Sequence, residues 1–417
     1  MAQMLLEELD DDPGDAGSGA VAREFGPNWF ATVMGTGIVA VAGAQLPVHV
    51  PGLRVFATVV WVLAALLLIG LIAGCAVHWA RHPARVRGYT ADPVMAQFWG
   101  APPQALNTVG AGALLLGPSL LGSAAVGLDW VLWITGAVLG LGTACWIPYL
   151  MMTRHDIGAD AAFGGWLMPV AAPMTAAATG ALLVPHAPAG QARLTLLLAC
   201  YAMFGISLLA TLFIVPQIWS RLVQHKVGAA ALAPTLWIVL GPFGQSVTSV
   251  SRLGTDATGV LPAPYGTGAT VAGLLYGVPV WGFAMLWLVL AAAITVRTAR
   301  TAGGRLPFAL TWWSFTFPVG TCVTATIALA ARSSDTALRD VAVVLYVLLA
   351  LAWLVVAVRT VLFAFGARPR DGGQPRDGGQ PRSSAPTRSP ASATAAARTS
   401  ATSAAVSVRS GARKRNA

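Results

Sequence analysis

The 417-residue chain is 56% hydrophobic and only 10% charged, with a mean hydropathy of +0.68, whereas a soluble domain carries about 25% charged residues. Apolar stretches recur from Pro27 to Gly366, which excludes a sizeable aqueous core and defines one membrane domain. The net charge of +10 does not signal nucleic-acid binding, because ten basic residues against Asp371 and Asp377 place +8 of it after Gly366, in a tail with no aromatic residue on which a base would stack.

Residues 1–23 are acidic and lack both the basic start and the long apolar region of a signal peptide. They are expected to be disordered, with the first span directing insertion. A window of about 20 residues then finds apolar segments at 28–46, 53–77, 98–121, 130–152, 163–184, 194–219, 232–251, 270–296, 308–330 and 341–365. The predicted fold class is therefore an all-α membrane protein with ten transmembrane helices in a domain at 24–366. Residues 367–417 form a basic Ser/Ala/Thr/Pro tail whose composition predicts disorder and loose attraction to anionic headgroups.

Arginine and lysine collect after the even-numbered spans: Arg81, Arg85 and Arg87, then Arg154, then Arg221 and Lys226, then Arg297, Arg300 and Arg305, and the tail. Positively charged short loops stay in the cytoplasm. Both termini are thus expected to be cytoplasmic, in a multi-pass protein of the cell membrane.

An internal repeat organises the spans. An aromatic residue followed by glycine or proline opens each odd-numbered one: Trp29 with Gly35, Trp99 with Pro102 and Pro103, Trp166 with Pro169 and Pro173, Trp237 with Gly241 and Pro242, Trp313 with Pro318. The tryptophans are spaced by 70, 67, 71 and 76 residues, which predicts five copies of a helical hairpin. Even-numbered spans are nearly uniform Leu, Val and Ala and suit lipid. Odd-numbered spans mix in Gly, Pro, Asn, Gln, Ser and Thr, which membranes tolerate only where protein or a water-filled cavity satisfies them. Five inner helices inside five outer ones would leave a pore on the axis, with mid-span prolines kinking its walls.

The predicted pore lining is Gly35, Thr36, Asn107, Thr108, Pro169, Pro173, Thr175, Pro242, Gln245, Ser246, Ser249, Pro318, Thr321 and Thr324. Asp92, Asp129, Asp156, Asp160, Asp256, Asp335 and Asp340 are all expected in loops or at span ends, leaving no carboxylate at membrane depth. A pore without carboxylates whose approaches hold arginine disfavours cations and tolerates anions, and hydroxyl and amide donors replace part of an anion's hydration shell. Arg252, at the outer mouth, is either an electrostatic funnel or a snorkelling side chain. The cysteines (Cys75, Cys145, Cys200, Cys322) lie singly in apolar runs and are read as small buried hydrophobes, and the six histidines show no metal-ligand spacing. No nucleophile elbow, paired acid and base or phosphate-binding glycine loop is present, so neither an enzyme nor a cofactor is expected.

Pro27-Asn28-Trp29-Phe30-Ala31-Thr32-Val33-Met34-Gly35-Thr36-Gly37-Ile38-Val39 resembles the first span of the tellurite-resistance/dicarboxylate transporter family, which includes fungal malate transporters, sulfite efflux pumps and slow anion channels. Trp312-Trp313-Ser314-Phe315-Thr316-Phe317-Pro318 resembles its ninth span. The resemblance covers residues 24–366. It implies a homotrimer with a pore in each protomer, and a phenylalanine of the ninth span plugging that pore, which matches Phe317, with Phe315 as the fallback. The implied substrate is a C4-dicarboxylate such as malate, or sulfite. Passive gated conduction of inorganic anions remains open, as does, from another class, a membrane-embedded sensor or scaffold that uses the tail to dock a partner.

Overall fold

A computed structural model describes residues 26–365. The expected disorder of residues 1–23 and 367–417 lies outside these, as does the tail on which the nucleic-acid question turned. Every regular element among the described residues is helical. Ten helices carry the architecture: α1 (Phe30–Gln45), α2 (Leu53–Arg81), α3 (Ala101–Leu116), α4 (Ala124–Thr153), α5 (Leu167–Leu183), α6 (Gln191–His225), α7 (Leu240–Val260), α8 (Tyr265–Thr301), α9 (Phe317–Ser333) and α10 (Thr336–Ala364).

Eight of them are long and apolar enough to cross a membrane, α5, α7 and α9 with their flanking 3-10 turns included. The other two, α1 and α3, have 16 residues each, about 24 Å of helix at about 1.5 Å per residue. That is less than the ~30 Å hydrocarbon core. In both, a 3-10 segment precedes the helix, Pro27–Trp29 for α1 and Met95–Gly100 for α3.

The same lead-in recurs at every odd-numbered helix, with Gly164–Trp166 before α5, Ala230–Val239 before α7 and Leu310–Phe315 before α9. Each of the five repeat tryptophans falls in one of these segments. Five of the six prolines that were expected to kink the inner helices sit instead in a first turn: Pro102 and Pro103 open α3, Pro169 is the third residue of α5, Pro242 the third of α7, and Pro318 opens α9. A first-turn N–H has no intrahelical acceptor, so proline costs nothing there. Pro173 is the interior exception in α5, while Pro148, Pro216 and Pro279 lie inside the even-numbered α4, α6 and α8. The expected mid-span kinks of the inner helices are thus largely absent.

Burial separates the two sets. In the most apolar stretch of each even-numbered helix 22–33% of residues are buried, against 78–94% for α5, α7 and α9 with their lead-ins. The odd-numbered helices pack in a closed cycle: α1 against α3, α3 against α5, α5 against α7, α7 against α9, and α9 back against α1. Each even-numbered helix lies against the odd-numbered helix before it. Small residues set the spacing within the cycle. A Cβ added at Gly244 of α7 would stand 2.5 Å from Thr321 Oγ1 and 2.6 Å from the Thr321 carbonyl carbon, so only glycine allows α7 and α9 to approach so closely.

Candidate functional site

Two cavities lie inside the cycle, one toward the N-terminal ends of the odd-numbered helices and one toward their C-terminal halves. The first, about 450 Å³ including space open to solvent, is lined by Ala31 and Met34 of α1, Gln104 of α3, Met168 and Ala171 of α5, Gly241 and Pro242 of α7, and Pro318 of α9. The second, about 420 Å³ on the same measure, is lined by Gln45 of α1, Thr108 of α3, Thr175 and Thr179 of α5, Thr248 and Arg252 of α7, and Thr321 and Thr324 of α9. Each cavity therefore draws on all five odd-numbered helices. Phe317 and Gln245 line both and stand at the partition between them.

Hydrogen bonds across helices hold this partition. Gln245 Nε2 donates to Thr175 Oγ1 (2.8 Å), whose hydroxyl donates to Gln104 Oε1 (3.0 Å). Gln104 Nε2 in turn donates to the carbonyls of Gly100 (3.0 Å) and Met168 (3.1 Å). The chain ties α7 to α5 and α3 with every step buried, where hydrogen bonds count for more than in water. One turn further along, Thr248 and Thr324 meet hydroxyl to hydroxyl at 3.0 Å, linking α7 to α9.

Phe317 opens α9 immediately after the Leu310–Phe315 lead-in and is 4% exposed. Phe315 lies elsewhere, half-buried and edge-on to Trp237 (5.2 Å) and Trp312 (5.8 Å). The break between 3-10 segment and helix is what separates two phenylalanines only two residues apart.

Arg252 is turned inward, with Nη2 donating to Gln45 Oε1 and the side chain lining the second cavity, so the snorkelling reading is wrong for it. Among the described residues no carboxylate makes a direct ion pair with it, although Asp256, one turn further along α7, acts on it electrostatically. Neither cavity is lined by Asp or Glu, and among the described residues no group of His, Cys, Asp or Glu is arranged to hold a metal ion.

Of the residues predicted from sequence, Thr108, Thr175, Pro242, Gln245, Pro318, Thr321 and Thr324 line one of the two cavities. The others face neighbouring helices. Thr36 Oγ1 accepts from Trp353 Nε1 of α10 at 3.2 Å. Ser246 accepts from the Tyr276 hydroxyl of α8 at 2.8 Å, and Ser249 donates to its own helix at Gln245 O. Gly35 abuts Trp313 and Thr316, Asn107 faces Gly136 of α4, and Pro169 faces Gly100; Pro173 is buried within α5.

Two further expectations fail. Asp129 is not in a loop but inside α4, fully buried against Gly110 of α3, and neither carboxylate oxygen has a hydrogen-bond partner. It stands between an inner and an outer helix and lines neither cavity. Cys145, expected to be buried, is exposed on α4. Gln104, Gln45 and Thr179 were missed: no polar stripe marks the inward face of these helices, which bury residues on every side.

A cycle of buried, polar-lined helices in an all-helical chain, with apolar helices outside it, defines a multi-pass membrane protein whose interior holds two cavities of small-solute size. Residues 24–361 match the voltage-dependent anion channel family, SLAC1, and the chain belongs to it. Curated relatives include sulfite efflux pump SSU1 of Arthroderma otae, 28% identical over 343 residues (81% of this chain, 90% of the relative), and that of Trichophyton rubrum, 29% identical over 308 residues (72% and 80%). An uncharacterized transporter of Methanocaldococcus jannaschii is 24% identical over 340 residues (81% and 94%). Membership of this family makes the protein an anion transporter of the membrane.

Proposed function

We propose that the chain carries sulfite, as a small oxyanion, along the axis of the α1–α3–α5–α7–α9 cycle, with Phe317 as the plug between the two cavities. The observation that carries this reading is the lining: neutral hydroxyl and amide donors, one arginine and no carboxylate on either side of a single aromatic partition. Such donors replace part of an oxyanion's hydration shell without fixing it in place, and Arg252 raises anion concentration in the second cavity. The relatives named as sulfite efflux pumps favour sulfite over malate, whose two carboxylates make it the larger competitor. The family's description as a channel favours passive conduction as a second reading.

In this proposal ten helices span the bilayer as five hairpins, α1 and α3 completed by their 3-10 lead-ins. Both termini are cytoplasmic, since the arginines cluster in the loops after even-numbered helices. The molecule is a homotrimer in the cell membrane, with one path in each protomer.

The test is sulfite flux into proteoliposomes holding the purified protein, with malate as competitor and the membrane potential clamped at several values. Sulfite flux above protein-free vesicles is expected, and Phe317→Ala is expected to raise it several-fold while leaving the melting temperature high enough for a folded state. Unchanged flux in the folded variant removes the plug, and absence of flux for every anion tried removes the function. Flux that tracks potential without any second gradient identifies a channel.

A further inference from the structure

A groove runs between α6 and α8 on the outer surface of the helix cycle, about 510 Å³ including the space open to its surroundings. Trp219 and Val223 of α6 form one wall, Trp287, Leu290 and Ile294 of α8 the other, and Leu236, from the lead-in to α7, the floor. The side chains that line it are all apolar. The Trp287 indole is turned so that Nε1 donates inward to Leu236 O at 2.9 Å. Its one polar atom is thus satisfied within the protein, and its ring is left to the groove. Trp219 stands against it with ring centroids 6.0 Å apart.

An open apolar cleft between two lipid-facing helices forfeits dispersion contacts unless something fills it, and one end of this cleft says what does. Lys226 caps α6 with a positive φ of 64°, and its ammonium donates to the carbonyl of Val223, a wall residue, at 2.7 Å. On α8, Arg297 lies one turn beyond Ile294 on the same face, is exposed, and has no hydrogen-bond partner among the described residues. Because α6 and α8 each pack beside α7 and run the same way, both cations fall at one end of the groove, where the helices leave the hydrocarbon. An apolar slot ending in two cations matches the acyl chain and phosphodiester of a lipid with net negative charge. A zwitterionic lipid fills the slot equally well but brings its own cation to the same mouth.

We propose that the α6–α8 groove is a binding site for an anionic phospholipid, its acyl chain lying along the paired Trp219 and Trp287 rings and its phosphate between Lys226 and Arg297. This site is separate from the path through the helix cycle and does not depend on which anion crosses. The headgroup charge distinguishes it from the rest of the lipid-facing surface, which takes any acyl chain.

The experiment uses the full-length chain in mixed phosphatidylcholine and phosphatidylglycerol vesicles, doped with a phosphatidylglycerol bearing a photoreactive diazirine on its acyl chain. After irradiation, labelled peptides are mapped by mass spectrometry. Labelling concentrated on the 219–223 and 287–294 stretches is expected, reduced several-fold by excess phosphatidylglycerol but not by phosphatidylcholine. The double variant Lys226→Gln, Arg297→Gln is expected to lose that preference several-fold with an unchanged melting temperature. Equal labelling of all even-numbered helices, equal competition by the two lipids, or an unaltered preference in the folded double variant each overturns the proposal. So does protein-to-protein crosslinking across the groove, which would show a second copy seated there.

Discussion

Arg252 brings a full charge to a cavity otherwise lined by neutral groups, and its guanidinium is held by Gln45 Oε1 rather than by a carboxylate. A cation in partly dry surroundings, only partly offset by Asp256 one turn along α7, attracts an anion several ångström away by up to a few kcal/mol at an effective dielectric near 20. If only about 1.4 kcal/mol of that is realised, occupancy changes about tenfold. Arg252→Gln is therefore expected to lower sulfite flux about tenfold at low substrate concentration, and less at saturation, whereas Arg252→Lys retains most of it. Initial rates across a substrate series check this, and a flat response in the Gln variant would place the charge outside the path. Gln104 shows the limit of reading at this scale. It closes the buried chain from Gln245 through Thr175 to two backbone carbonyls, yet nothing in its sequence surroundings distinguishes it from Asn107, one turn away and facing α4. Asp129 escaped for a related reason. One carboxylate lowers the mean hydropathy of a window enough to move the apparent span boundary past it, although α4 begins five residues earlier.

At the scale of the element, the period of the 3-10 lead-ins was readable because it is written in residues with strong backbone preferences. Tryptophan followed by glycine or proline marks each 3-10 lead-in, and the contrast between mixed and uniform helices followed from what lipid tolerates. Rotational phase was not readable, because α1 and α5 are buried on all sides and a helix without a polar face carries no signal for which side looks inward. That is why half of the expected lining faces neighbouring helices. The prolines misled for a different reason: their position relative to the helix start decides whether they kink it, and the lead-ins moved those starts. Glycine contacts now separate positions that sequence treats alike. Gly244→Ala drives a Cβ to 2.5 Å from Thr321 Oγ1 and 2.6 Å from its carbonyl carbon and is expected to cost about 1–3 kcal/mol. Gly282→Ala, inside α8 with nothing within 4 Å of the added carbon, is expected to be neutral or to stabilise by up to about 1 kcal/mol through helix propensity. Thermal melts of the two variants in one detergent check the contrast, and equal melting temperatures would show that α7 and α9 can move apart at little cost.

At the scale of the whole molecule, charge and function are divided along the chain. The family match ends at residue 361, and the cavities, the partition and Arg252 all lie before it, while most of the net charge lies after Gly366. If the helix cycle alone moves the anion, the basic tail contributes to where the protein sits and not to what it passes. Removing residues 367–417 is then expected to leave sulfite flux per reconstituted protein within about twofold of the full chain. The +8 carried by that segment acts on anionic headgroups at about 1 kcal/mol per basic residue near the surface, so the excess attraction of phosphatidylglycerol vesicles for the full chain should disappear in the truncated one, and should already be weak at high salt, where the Debye length falls to about 3 Å. Flux and vesicle binding measured on the same two proteins keep the readings apart. Flux intact with binding lost assigns transport to residues 24–366, whereas flux lost in a truncated protein that still melts cooperatively would make the tail a working part of the path, or the protein a scaffold whose partner docks there.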